Sequence, residues 1–272
     1  MKAKRQQVNI RTLKKRFPAC GPHVELFELI QKTVYSVIFT APAEIDRESL
    51  NKALRNGKTV LDACPAPLDI IAFNSALGKL FRILSTRNPG TFSKPAQAEI
   101  PAGLMDDYLC AREEPLASHA ESLGVAPAEL ISCCQQAARP QLVSLREKNS
   151  SAVTGIWPYG YCPFCGALPA MAYIDKRGFR SLYCPNCLTA YRFKRHHCPC
   201  CAHAGLQVLQ MDAWSGLLLE KCPECGKYLK TWNGKAGPPP CPFPYLDIVT
   251  RDVDEAAQAQ EMNRMSLGVM GV

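Results

Sequence analysis

Four Cys-x-x-Cys pairs follow one another in the second half of the chain: Cys162/Cys165, Cys184/Cys187, Cys198/Cys201 and Cys222/Cys225. Two intervening residues make a tight turn that aims both sulfurs at one point. Backbone N–H groups of that turn then hydrogen-bond the thiolates and spread their charge. Eighteen residues separate Cys165 from Cys184, and twenty separate Cys201 from Cys222. Both gaps fit the Cys-x2-Cys…Cys-x2-Cys pattern of a four-thiolate metal site. Each gap also holds one hairpin signal. "AMAYIDKRGFRSLYC" reads strand, turn at Asp175–Gly178, strand, and "LQVLQMDAWSGLLLEKC" turns near Ser215–Gly216. The pattern is a tandem duplication of one module: knuckle, hairpin, knuckle. Glycine after the second cysteine, in "CPFCG" and "CPECG", permits the positive φ such a knuckle uses.

Pairing along the chain is the simplest arrangement, because each site closes over its own hairpin. An arrangement that joins the two middle pairs stays open, although only ten residues separate Cys187 from Cys198. A closed tetrathiolate suits zinc or iron, and spacing does not choose between them. Each such centre is anionic. Lys176, Arg177, Arg180, Arg192, Lys194 and Arg195 lie nearby in sequence and can offset that charge. This account of the basic cluster competes with a nucleic-acid face. "YRFKRHHCPCCAHAG" adds Cys200, His196, His197 and His203 around the third knuckle. Cys198 and Cys201 keep the three-residue step of the other knuckles, so Cys200 is expected to point away from the metal, with the histidines outside the ligand set.

The chain has 272 residues, 15 cysteines, 22 prolines and a formal charge of +8. No stretch approaches the roughly 20 apolar residues that cross a bilayer. The basic N-terminal stretch "MKAKRQQVNIRTLKKRF" lacks a following apolar core and does not read as a signal peptide. A cytoplasmic address is therefore expected, where thiols stay reduced and many cysteines argue for metal over disulfides. No glycine-rich phosphate loop and no Ser/His/Asp set stands in recognisable context. The chain is not expected to be an enzyme, with electron transfer left open.

Before residue 150 the grammar is helical. "HVELFELIQKTVYSVIF" presents Val24, Phe27, Ile30, Val34 and Ile38 on one face. "DRESLNKALRNG" has a cap at Asp46 and a terminating Gly57. "PLDIIAFNSALGKLFRILS" carries Pro67 near its start and a stripe through Ile71, Leu77, Phe81 and Leu84. "AGLMDDYLCAR", "PLASHAESLG" and "APAELISCCQQAARPQLVSLREK" add helical signals, the last expected to kink or break at Pro140. "RNPGTFSKPAQAEIP" reads as a loop, and Cys20, Cys64, Cys110, Cys133 and Cys134 as buried core thiols. The expected fold class is α+β. A basic arm (1–19) precedes a helical domain of five to seven helices (20–150). Modules at 156–193 and 194–240 follow, then a helical tail (241–272). "NSSAVTG" is the linker, and Cys241 is a loop thiol.

The runs "CPFCGALPAMAYI", "GFRSLYCPNC", "YRFKRHHCPCC" and "EKCPECGKYLK", with the tail segment "DIVTRDVD", resemble the formate dehydrogenase accessory (FdhE) family. The resemblance implies a helical domain followed by two rubredoxin-like, zinc-ribbon-like modules. It implies iron as the metal, with zinc the alternative. The ligands it implies are Cys162, Cys165, Cys184, Cys187, Cys198, Cys201, Cys222 and Cys225. It also implies a cytoplasmic factor that matures formate dehydrogenase by contact with the catalytic subunit. Two departures stand out: Tyr191 replaces an expected tryptophan, and Cys200 is an additional thiol. The competing reading is a nucleic-acid-binding zinc ribbon, in which "YRFKRHH" grips phosphates and stacks bases. A metal-free dithiol oxidoreductase is a third.

Overall fold

A computed structural model of the chain describes residues 10–42, 44–64, 68–211 and 213–271. Most of the expected arm, residues 1–9, and Pro67 lie outside them. The helices are α1 (Ile10–Arg16), α2 (Gly21–Val34), α3 (Arg47–Arg55), α4 (Ile70–Arg87), α5 (Pro89–Phe92), α6 (Leu104–Leu109), α7 (Glu113–Leu123), α8 (Pro127–Lys148), α9 (Phe243–Val249) and α10 (Arg251–Gln258). The strands are β1 (Met171–Ile174), β2 (Arg180–Tyr183), β3 (Ala190–Phe193), β4 (Gln207–Gln210), β5 (Leu217–Lys221), β6 (Lys227–Asn233) and β7 (Asn263–Arg264). Two compact units result. One comprises residues 1–27 and 154–269, the other residues 28–153 and 270–272.

The helical unit follows its sequence signals with local exceptions. Asp46 caps α3 by accepting from Ser49 N–H at 2.8 Å, and Gly57 beyond its end takes φ 75°. Asp69 caps α4, whose buried face is Ala72, Phe73, Ala76, Leu77, Leu80 and Phe81. Ile71, expected on that face, is 80% exposed, one step out of the helical stripe. Ile38 is 94% exposed because α2 ends at Val34. The expected loop contains α5, a single turn capped by Asn88.

Helix α8 is unbroken through Pro140, contrary to expectation. Every residue from Ser132 to Val143 is buried, so packing holds a helix that proline alone would weaken. Two of its buried glutamines find partners on other elements. Gln141 accepts from Asp69 N–H at 2.6 Å and donates to Asp69 O at 2.9 Å, and Gln31 donates to Gln136 at 3.2 Å.

The other unit is built on one sheet in the order β3-β2-β1-β6-β5-β4. Each module is a three-stranded antiparallel meander, not a lone hairpin. The third strands, β3 and β6, follow the second knuckle of each module. Strand β1 then pairs in parallel with β6, fusing the modules into one sheet. As the central strand, β6 is buried along nearly its whole length. The tail is helical only in part: after α9 and α10 it adds β7, which pairs in parallel with the start of β6.

Two buried charge clusters sit in this sheet. Lys230 on β6 meets Asp247 at 3.0 Å and Asp254 at 2.6 Å, and Arg264 pairs with the same two carboxylates. This ties α9, α10 and β7 to the sheet. Arg180 on β2 meets Glu220 on β5 at 2.5 Å, with Arg195 at 3.0 Å on its other oxygen and the Thr231 hydroxyl donating at 2.8 Å.

Candidate metal centres

The four knuckles share one backbone geometry. The first cysteine's N–H donates to the carbonyl five residues on, that of Ala167, Thr189, His203 or Lys227, at 2.8–3.0 Å. The residue before each of those acceptors is left-handed: Gly166, Leu188, Ala202 and Gly226 have φ between 55° and 79°. Glycine marks this position in only two knuckles. Leu188 and Ala202 adopt it without that freedom, a strained choice that the closed turn enforces. Backbone N–H groups of Phe164, Asn186 and Cys200 donate to the sulfurs of Cys162, Cys184 and Cys198 at 3.3–3.4 Å.

These turns bring together two sets of four sulfurs: Cys162, Cys165, Cys184 and Cys187, and Cys198, Cys201, Cys222 and Cys225. Within each set all sulfurs lie within 4.8 Å of one another. Sulfur–sulfur distances are 3.5 Å for Cys162–Cys187, 3.4 Å for Cys165–Cys184, 3.7 Å for Cys198–Cys225 and 3.5 Å for Cys201–Cys222. A tetrahedral metal with bonds of about 2.3 Å would set its sulfurs about 3.8 Å apart. The sets therefore fit Zn²⁺ or iron with little movement. Pairing is along the chain, and the middle pairs do not combine. None of the 15 cysteines is in a disulfide.

The two sets differ in exposure. Cys162, Cys184 and Cys187 are buried and Cys165 half-buried, whereas Cys201 in the second set is exposed. Burial pushes the Cys162 and Cys187 thiols well up. Burial acts the same way on Cys184, but hydrogen bonds from the other three thiols outweigh it and hold this group well below its usual value. Cys222 in the second set is likewise lowered: burial is outweighed by the N–H groups of Cys225 and Glu224 and by the Cys201 and Cys198 thiols.

Cys200 stands outside the second set and is half-buried. His196, His197 and His203 join neither set. Cys241 is buried, its thiol pushed up to about 12 by desolvation. Among the expected core thiols, Cys133 and Cys134 are buried, Cys20 and Cys64 half-buried, and Cys110 exposed just past the end of α6. Tyr191 is buried and donates to Gly160 O at 2.7 Å. Of the basic cluster, Arg180 and Arg195 pair with Glu220, and the Arg192 and Arg177 guanidinium carbons stand 4.5 and 5.3 Å from the centre of the exposed Phe179 ring. Sequence reading missed Glu220, because its buried partner Arg180 comes from the other module, 40 residues away along the chain.

No family model matches the chain. Over 75 residues it is 33% identical to Protein FdhE of Escherichia coli O1:K1 / APEC and to Protein FdhE of Shigella boydii serotype 18. That match covers 26% of this chain and 24% of each relative, so the chain spans about a quarter of the length of the curated relatives it matches. The crystal structure of the FdhE protein from Pseudomonas aeruginosa has the same fold, with a TM-score of 0.67 at 20% identity over 96% of this chain and 92% of that one. The chain is thus similar to FdhE proteins in sequence over about a quarter of its length and to the Pseudomonas aeruginosa FdhE protein in fold over nearly all of it.

Proposed function

We propose that this chain is an accessory factor needed to form active formate dehydrogenase. It acts in the cytoplasm by binding the catalytic subunit, and it is not itself an enzyme. Cys162, Cys165, Cys184 and Cys187 hold one metal ion, and Cys198, Cys201, Cys222 and Cys225 hold a second. The observation that carries this reading is the pair of four-sulfur sets with tetrahedral spacing on an FdhE fold. Iron is favoured by the family resemblance, with zinc the alternative. A bound iron would supply one-electron redox chemistry, whereas zinc would serve only structure. In either case the chain's own residues hold the metal, close it off from further ligands and shape the ribbon surface.

A pull-down from the native host with metal analysis of the same sample tests partner and metal together. The expected result is a formate dehydrogenase subunit alongside two metal ions per chain. Protein purified anaerobically and then oxidised should show a ferric–thiolate band. A colourless protein with two zinc ions removes the electron-carrier version and leaves the scaffold. A chain that brings down no formate dehydrogenase subunit overturns the partner assignment. No described helix is long and apolar enough to cross a membrane. The nucleic-acid reading loses Arg180 and Arg195 to Glu220, and the absence of salt-dependent DNA or RNA binding would dismiss it.

A further inference from the structure

The third knuckle is gripped by residues of the other module on both sides of Cys198. Arg180 on β2 donates to the His197 carbonyl, immediately before Cys198, at 2.8 Å. Its other terminal nitrogen meets Glu220, two residues before Cys222, at 2.5 Å. The Arg180 side chain is fully buried and that of Glu220 is 1% exposed. One guanidinium therefore spans both knuckles of the second set from a strand of the first module, with a planar fork suited to two acceptors at once. Beyond Cys198, Gly160 lies so close to Pro199 that a Cβ on Gly160 would stand 1.8 Å from the Pro199 carbonyl oxygen. Tyr191, also of the first module, holds Gly160 through its hydroxyl.

Charge points the same way. Burial pulls the Arg180 pKa down, while Glu220 and the Cys198 sulfur act to raise it, so the guanidinium lies within electrostatic reach of a ligand sulfur. Arginine stays protonated regardless. Arg180 and Arg195 together outweigh Glu220 by one positive charge, set beside a cluster whose tetrathiolate would be anionic. The first set has no such buried arginine among the described residues.

We propose that Arg180 is a positioning residue for the second metal centre, so that the first module builds the third knuckle and compensates the charge of a site it does not itself ligate. The proposal rests on reading the two sulfur sets as metal sites. The ferrous form of an iron tetrathiolate carries one more negative charge than the ferric form, so a buried cation favours the reduced second centre.

The test is cobalt(II) titration of the reduced, metal-free full chain, followed by its thiolate and d–d absorption bands. The wild type should take two equivalents. Arg180→Gln should keep the first and bind the second 10–100-fold more weakly, with altered d–d bands. Arg180→Lys, which keeps the charge, should recover part of that loss. Cys225→Ser identifies the bands of the second site. In iron-loaded protein, Arg180→Gln should lower the reduction potential of that centre alone, a change that loosened packing would not confine to one site. Two equivalents bound by Arg180→Gln with wild-type affinity and spectrum overturn the proposal and leave the metal reading intact. Equal loss from both sites also overturns it. A wild-type chain that takes no cobalt removes the metal reading itself. Should Arg180→Gln fail to fold, Gly160→Ala presses on the third knuckle without changing charge. Selective loss of the second equivalent there supports the proposal, and its retention refutes it.

Discussion

A single-atom change distinguishes the clustered cysteines from their neighbours. Cys198→Ser removes one sulfur from a four-sulfur set and should abolish binding at the second site, leaving one metal per chain by elemental analysis. Cys200→Ser should leave both sites loaded, because Cys200 supplies a backbone N–H to Cys198 and not a sulfur to the cluster. The choice between these cysteines is legible in sequence because the two-residue spacing is a local constraint that one turn satisfies. The left-handed backbone behind each knuckle is only half legible. At Gly166 and Gly226 the residue type announces it, whereas Leu188 and Ala202 take the same conformation under tertiary compulsion. A methyl on Gly226 would meet nothing within 4 Å, so Gly226→Ala isolates the conformational term. It should destabilise the fourth knuckle by about 1 kcal/mol, read as a lower thermal midpoint with two metals still bound. Ala202→Gly should be near neutral, since relieved strain is offset by a more flexible unfolded chain.

At the scale of elements, the hairpins were readable and the third strands were not. "KYLKTWN" has lysines where a central strand expects apolar side chains, yet Lys230 is fully buried in β6. Its neutralising partners, Asp247, Asp254 and the carbonyls of Asp247 and Thr250, arrive from the tail. No window of sequence around Lys230 contains them. Burial opposes ionisation of Asp247, but Arg264, Lys230 and the Val269 N–H outweigh it and hold the carboxyl at about 2, against its usual 3.8. A depressed carboxyl stabilises the fold above its unfolded value and loses that contribution as pH falls towards its folded value. The contribution is about 2 kcal/mol near neutral pH and should fade between about pH 5 and pH 2. Asp247→Asn leaves Lys230 and Arg264 buried with one acceptor fewer and should cost about 3 kcal/mol at pH 7. The stability gap between wild type and this variant, from denaturant titrations across pH, should be flat above pH 5 and shrink below about pH 4. A gap that does not change with pH would mean that Asp247 acts through shape and not through charge.

At the scale of the molecule, the two units draw on different sources of stability. Residues 28–153 bury a helical core of apolar side chains such as Phe73, Leu77, Leu80, Phe81 and Leu130. The sheet unit instead closes short strands of four to seven residues around two sulfur clusters and two ion clusters, with β7 shorter still at two residues. Four-residue strands cannot hold a meander without further restraint, and structural zinc in small domains contributes on the order of 10 kcal/mol to folding. The change in grammar near residue 150 made the helical and ribbon halves visible in sequence. The joining of the modules through β1 and β6 was not visible, because a parallel pair between strands more than 50 residues apart leaves no local signature. Metal removal should therefore act on one unit. Treating the full chain with a strong chelator under reducing conditions should open residues 154–269 to limited proteolysis, while a fragment spanning residues 28–153 resists. Far-UV circular dichroism should retain most of its helical signal. Because β1–β6 makes the sheet continuous, cleavage should appear in both modules together even when only the more exposed second set has lost its metal. Cleavage confined to 194–240 would show instead that the modules melt independently and that the parallel seam carries little of the unit's cooperativity.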